Sequence, residues 1–107
     1  MWQIRYYSLK VEKEILALPP SILARLLRYA DVMEELGPNL GMPHTRAMGD
    51  GLFELRVGGR EGIGRVFYCS LIGQQIVILH SFVKKTMKTP ARELEVARRR
   101  LQEVKSE

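Results

Sequence analysis

The sequence predicts one α+β domain: a small, mostly antiparallel sheet with a helical hairpin on one face and a C-terminal helix, in the order β-α-α-β-β-β-α. Three observations carry this reading. The stretches 52–57, 63–71 and 75–83 are strand-like and separated only by short glycine turns, at Gly58-Gly59 to Gly62 and at Gly73. Connections that short join antiparallel neighbours, because parallel strands need a longer crossover. The first 36 residues hold two apolar patterns of helical period, divided by Pro19-Pro20. Thr89-Pro90 reads as a helix opening, with threonine as N-cap and proline in the first helical position.

Taken in order, Trp2 to Tyr7 alternates apolar and polar groups as a short strand, and Ser8 can cap the helix after it. That helix presents Val11, Ile15 and Leu18 until Pro19-Pro20 removes the amide donors needed to continue. Pro20 and Ser21 open a second helix with Leu23, Leu26, Leu27, Ala30, Met33 and Leu36 on its apolar side. Arg25, Arg28, Asp31, Glu34 and Glu35 are left to water, and Gly37-Pro38 stops the helix. Asn39 to Gly51 shows no usable periodicity and reads as a loop carrying His44 and Arg46. The stretch Ile76 to Val83 is rich in β-branched residues, so it reads as a central strand, and it runs directly into Lys84, Lys85 and Lys88. In the last helix Leu94, Ala97, Leu101 and Val104 form one stripe, with Arg92, Arg98, Arg99 and Arg100 largely off it.

At 107 residues the chain is read as a single domain, 1–107, with 46% hydrophobic and 27% charged residues as in ordinary globular proteins. An excess of 17 Lys+Arg over 12 Asp+Glu gives a formal charge of +5, which favours anionic partners such as nucleic acid, an acidic protein or a membrane surface. No apolar run approaches the roughly 20 residues of a bilayer span, and residues 1–5 lack signal-peptide form. The lone Cys69 lies in an apolar run and reads as core packing in a reducing compartment, so the expected location is cytoplasmic. His44 and His80 are isolated, and no Cys/His/carboxylate spacing resembles a metal site, so neither metal nor cofactor is expected.

Period-two geometry places Glu54 and Arg56 on one strand face and Phe53, Leu55 and Val57 on the other. The apolar set is expected inside, which displays Glu54 and Arg56. Arg65 comes close to Arg56 across the short turn, and Lys84 and Lys85 lie at the end of the third strand. Such a cluster is either a set of weak surface pairs or a cradle for phosphate. Tyr68 reads as packing, and His80 as a hydrogen-bonded structural residue.

The pieces Gly51-Leu52-Phe53-Glu54-Leu55-Arg56, Gly64-Arg65-Val66-Phe67-Tyr68, Ile76 to Thr86 and Lys88-Thr89-Pro90-Ala91-Arg92-Glu93 together resemble the RelE/ParE toxin superfamily. The likeness is greatest to its HigB-like, phage-derived-protein-like branch of type II toxin–antitoxin toxins. It covers nearly the whole chain, and its most specific part is HSFVKKTMKTPARE. The resemblance implies a toxin that enters the ribosomal A site and cuts mRNA through attack by the RNA's own 2′-OH. It also implies a partner antitoxin, expected to be a helix-turn-helix protein, in a hetero-oligomer. By motif, Arg56 and Arg65 match the family's strand cations, and Lys84 and Lys85 match the basic residues after its last strand. Some relatives carry a lysine where this chain has Glu54, which makes Glu54 the candidate base or the partner that positions Arg56, with His80 able to take the base's role only if its strand face opens to the site. Some also carry a tyrosine in the C-terminal segment that this chain lacks. His44, Arg46, Lys88 and Arg92 are expected to contact RNA. The alternatives are a ParE-type toxin directed at gyrase and an RNA-binding or regulatory module without chemistry.

Overall fold

The structure, a computed structural model, describes residues 1–84 and 88–107. The chain runs β1 (Gln3–Tyr6), α1 (Leu9–Leu16), α2 (Pro20–Leu36), β2 (Thr45–Gly49), β3 (Leu52–Gly59), β4 (Gly62–Leu71), β5 (Gln75–Lys84) and α3 (Ala91–Lys105). The five strands lie in the order β1-β5-β4-β3-β2. Every neighbouring pair is antiparallel except β1 with β5, where Ile4 lies opposite Ile76. The expected α+β sheet is therefore present with one strand more than the sequence suggested. β5 is an interior strand, as its composition implied, although β4 holds the centre.

Each face of the sheet is covered. Leu55, Val57, Val66, Tyr68, Ile76 and Ile78 pack against Val11 and Ile15 of α1 and Ile22, Leu26 and Met33 of α2. On the other face Leu52, Phe67, Cys69, Val77 and Leu79 meet Ala97, Leu101 and Val104 of α3. Cys69 is packing, as read, and burial pushes its thiol above the ordinary value. Ser8 caps α1 by accepting from the Val11 amide at 3.2 Å. The stripe of α2 is narrower than its sequence implied. Ile22 is fully buried, whereas Leu27 and Leu36 are exposed, because a helix docked on a flat sheet buries only residues near one line. That docking is close. A Cβ on Gly64 would lie 2.7 Å from Ile22 Cγ2, and one on Gly59 would lie 2.6 Å from Ile22 Cγ1.

Two departures matter for the site. The segment read as a loop contains β2, an edge strand whose Thr45 pairs with Leu55 and Arg46 with Glu54. Its sequence, Thr45-Arg46-Ala47-Met48-Gly49, lacks a clear apolar alternation because an edge strand is held by main-chain pairing to β3 more than by a buried face. The second departure is a β-bulge in β5. Phe67 pairs with His80 while Tyr68 pairs with Ile78, so Leu79 is an extra residue. The bulge turns Leu79 and His80 to the same side and carries Phe82 and Lys84 onto the face of α3. Arg100 Nη1 donates to the Leu79 carbonyl at 2.7 Å, with its guanidinium 4.9 Å from the Tyr7 ring centre. Arg98 and Lys105 likewise donate to the carbonyls of Met48 and Asp50. Much of the basic side of α3 thus fastens the helix to the sheet.

Arg100→Leu keeps much of the side-chain volume but leaves the bulge carbonyl without its donor. Urea unfolding is expected to show a loss of about 1–3 kcal/mol. A midpoint unchanged from wild type would mean that Arg100 does not hold the bulge.

Candidate functional site

The register sets out rows of side chains on the α3 face. One row is Glu54, Phe67 and His80; the next is Arg56, Arg65 and Phe82. The core of α3 covers the neighbouring Leu52, Cys69 and Val77. Beyond it the face turns polar, and Thr89, two residues before α3, meets it there.

Glu54 was expected on display, but it is 1% exposed. The sheet has no wet face at this point, so alternation does not separate inside from outside; it separates one core from the other. A carboxylate so placed is tolerable only with charged and hydrogen-bonding partners. Arg56 Nε donates to Glu54 Oε1 at 3.2 Å. Thr89 Oγ1 donates to Glu54 Oε2 at 2.6 Å and accepts from Arg65 Nη1 at 3.2 Å. Thr89 is therefore not the helix cap that the sequence suggested. Pro90 occupies the cap position of α3, with no side-chain cap bond, and the Thr89 hydroxyl is used between two charged groups.

Arg65 is fully buried, with its guanidinium 5.9 Å from the Phe82 ring centre. Burial holds it below the ordinary arginine value, reinforced by Arg56 and opposed by Glu54. Arg65 is thus the inner cation and Arg56, with its side chain 26% exposed, the outer one. Lys84 ends β5 half-buried on the same face. Lys88 and Arg92 are exposed on either side of Thr89-Pro90-Ala91, and Lys85 lies outside the described residues.

His80 also lies on this face. Its Nε2 is 2.9 Å from Glu93 Oε1, and its ring stacks with Phe67 at 6.4 Å between centres. This agrees with a hydrogen-bonded structural residue. Among the described residues its buried Nδ1 has no partner. Tyr68 is in the opposite core, as expected, with its hydroxyl bonded to the Pro38 carbonyl.

His44 and Arg46 stand at the outer edge of the sheet. β2 begins opposite Leu55, so β3 continues past it, and a concavity of about 390 Å³ opens there. Arg56 reaches this concavity from β3, and Arg25 and Tyr29 line it from α2. Sequence reasoning gave no site role to Arg25, Tyr29, Glu93 or Thr89. For Arg25 and Tyr29 a signal existed in their i,i+4 spacing on one helix face; for Thr89, placement before proline pointed to a cap. Among the described residues no group of three or more His, Cys, Asp or Glu is arranged to hold a metal ion. No described helix is long and apolar enough to cross a membrane.

The family model for the phage-derived Gp49-like proteins (Phage derived protein Gp49-like, DUF891) matches residues 13–102. The chain belongs to this family. The matched span takes in α2, the whole of β2 to β5 and most of α3, so both the buried cluster and the edge concavity of this Gp49-like protein lie inside it. No curated protein matches the chain.

Thr89→Val in the Gp49-like protein leaves a buried guanidinium and a buried carboxylate each short of a partner. We expect a loss of about 1–3 kcal/mol in urea unfolding, and near wild-type stability for Thr89→Ser. In a Glu54→Gln background the Thr89→Val loss should shrink, with a coupling of about 0.5–3 kcal/mol. Additive losses would return Thr89 to a purely local role at the start of α3.

Proposed function

We propose that this Gp49-like protein is the toxin of a type II toxin–antitoxin pair and that it cleaves mRNA on the ribosome. The observation that carries the reading is Arg56: a partly exposed guanidinium on a rigid strand, held by a buried carboxylate, beside a second buried guanidinium. The family supports it, because the aligned strand cations and the basic segment after β5 are the parts that the RelE-type resemblance singles out.

In the proposed reaction the RNA 2′-oxygen bonds to the adjacent phosphorus while the bond from phosphorus to the 5′-oxygen breaks. A 2′,3′-cyclic phosphate remains. Solvent water takes the proton from the 2′-OH and gives one to the departing 5′-oxygen, so no proton is gained or lost overall. Negative charge grows on the phosphoryl oxygens, and Arg56 is the residue placed to meet it. Glu54 has both oxygens engaged, Oε1 by Arg56 and Oε2 by Thr89, so its role in this reading is to position Arg56. Lys84, Lys88 and Arg92 would hold the strand near the cut, and a helix-turn-helix antitoxin would cover the toxin between uses.

The engagement of Glu54 also favours a second reading, an RNA-binding module in which this carboxylate is only a buried ion-pair residue. Induction in cells without the antitoxin, with mapping of mRNA 5′ ends, separates the two. Wild type should arrest growth and leave discrete mRNA cuts. Arg56→Ala should cut about 100-fold less, the usual scale for loss of one transition-state charge contact, while Arg56→Lys retains part of the activity. Growth arrest without cuts would remove the nuclease reading, and DNA damage in its place would move the target to gyrase. Because Arg65 is fully buried, its replacement tests folding as much as function, and Arg56 is the cleaner probe.

A further inference from the structure

The concavity at the sheet edge has an unusual lining. Three guanidinium-bearing residues come to it from three separate elements: Arg25 of α2, Arg46 of β2 and Arg56 of β3. No carboxylate lines it. Arg25 and Arg46 are exposed, and among the described residues neither forms an ion pair. Glu54 offsets Arg56 alone, so Arg25 and Arg46 add positive charge that no carboxylate of the concavity balances, and an anion placed among the three arginines relieves their repulsion. Beside them Tyr29 and His44 form an aromatic pair. Their ring centres are 5.2 Å apart, and Tyr29 Oη is 3.3 Å from His44 Nδ1. Tyr29 is half-buried against the core, so one ring of the pair is held rigidly, while His44 is open to solvent. Cations interleaved with aromatic rings are the elements from which single-stranded nucleic acid sites are built.

We infer that this concavity is a subsite for one nucleotide of single-stranded RNA, with phosphate among Arg25, Arg46 and Arg56 and the base against the Tyr29–His44 pair. The inference rests on the RNA-directed reading above for its ligand. At about 390 Å³ the space suits a small polar ligand. It accepts an unstacked base and excludes a paired one, since a duplex keeps its bases stacked within the helix. Arg56 belongs both to this subsite and to the Glu54 cluster, so an RNA bound here is delivered with a phosphate at the proposed reaction centre.

The test uses the antitoxin-free full chain and a short labelled 2′-O-methyl oligoribonucleotide, which cannot be cut by 2′-OH attack. Binding is thus read apart from cleavage. The variants are Arg25→Ala with Arg46→Ala, and Tyr29→Leu, each verified as folded by urea unfolding. Wild type should bind the single strand in preference to the matching duplex. The double arginine variant should lower the slope of log affinity against log salt by about 0.7, the value for one phosphate contact on a single strand. Tyr29→Leu should weaken binding about tenfold and leave the slope unchanged. Unchanged affinity and slope in the arginine variant would overturn the subsite; if wild type still cuts mRNA, the proposed function survives that failure. Loss of binding to poly-glutamate with none to the oligonucleotide would also overturn it, in favour of an acidic protein segment. Binding of the single strand as predicted, without mRNA cuts in cells, would keep the subsite and remove the nuclease.

Discussion

A carboxylate buried inside a covered sheet constrains much of what surrounds it. Glu54 loses nearly all contact with water, and ionised groups survive such burial only when opposite charge and hydrogen bonds replace the lost hydration. Arg56 supplies one partner from the same strand, two residues on. The Thr89 hydroxyl supplies the other from just before α3, and in turn accepts from Arg65. The start of α3 is therefore tied to the middle of β3 and β4 by polar bonds, while its later turns are tied by Ala97, Leu101 and Val104. One negative charge fixes two cations and the approach of a helix.

The bulge at Leu79 is the complementary constraint. In a regular β5, His80, Phe82 and Lys84 would share a face with Ile76 and Ile78 and point toward the helical hairpin. Burying a histidine and a lysine against Val11, Ile15 and Leu26 would have no compensation there. The extra residue moves them to the face of α3, where Glu93 meets His80, Arg65 lies against Phe82, and Lys84 ends near solvent. Arg100 meets the displaced carbonyl, so α3 both depends on the bulge and supports it. The cationic end of β5 is usable as a site edge because a single residue changes its phase.

This explains which parts of the molecule were legible in the sequence. The helical hairpin, the three-strand meander and the last helix follow from periodicity and from glycine and proline punctuation, and each is present. β2 was not legible, because Thr45 to Gly49 is held by main-chain bonds that leave little trace in side-chain pattern. The pairing of Arg56 with Arg65 was readable from a short turn. The burial of Glu54 was not, since alternation gives faces but not what covers them. Thr89 was misassigned for a related reason: a threonine before a proline signals a cap locally, and only the tertiary fold brings Glu54 and Arg65 within its reach. Arg25 was seen as the wet side of a helix, which is correct for the helix alone and silent about the edge of the sheet beside it, and Tyr29 was not assigned to either side.

Arg56 is where these constraints meet, and its two environments answer an apparent objection to the proposed phosphate site, which contains a carboxylate. Glu54 lowers the local positive potential, but it pairs with Arg56 through Nε and leaves the group partly exposed toward the edge concavity. One carboxylate against the two guanidiniums of Arg56 and Arg65 still leaves the cluster positive. An unrestrained arginine loses rotamer freedom when it grips an anion, and one already anchored loses less. Arg65, buried and beyond direct reach, adds field without competing for space. The arrangement therefore gives up some attraction to gain a fixed direction, and that exchange favours a site that must align one particular phosphate over a surface that merely attracts RNA.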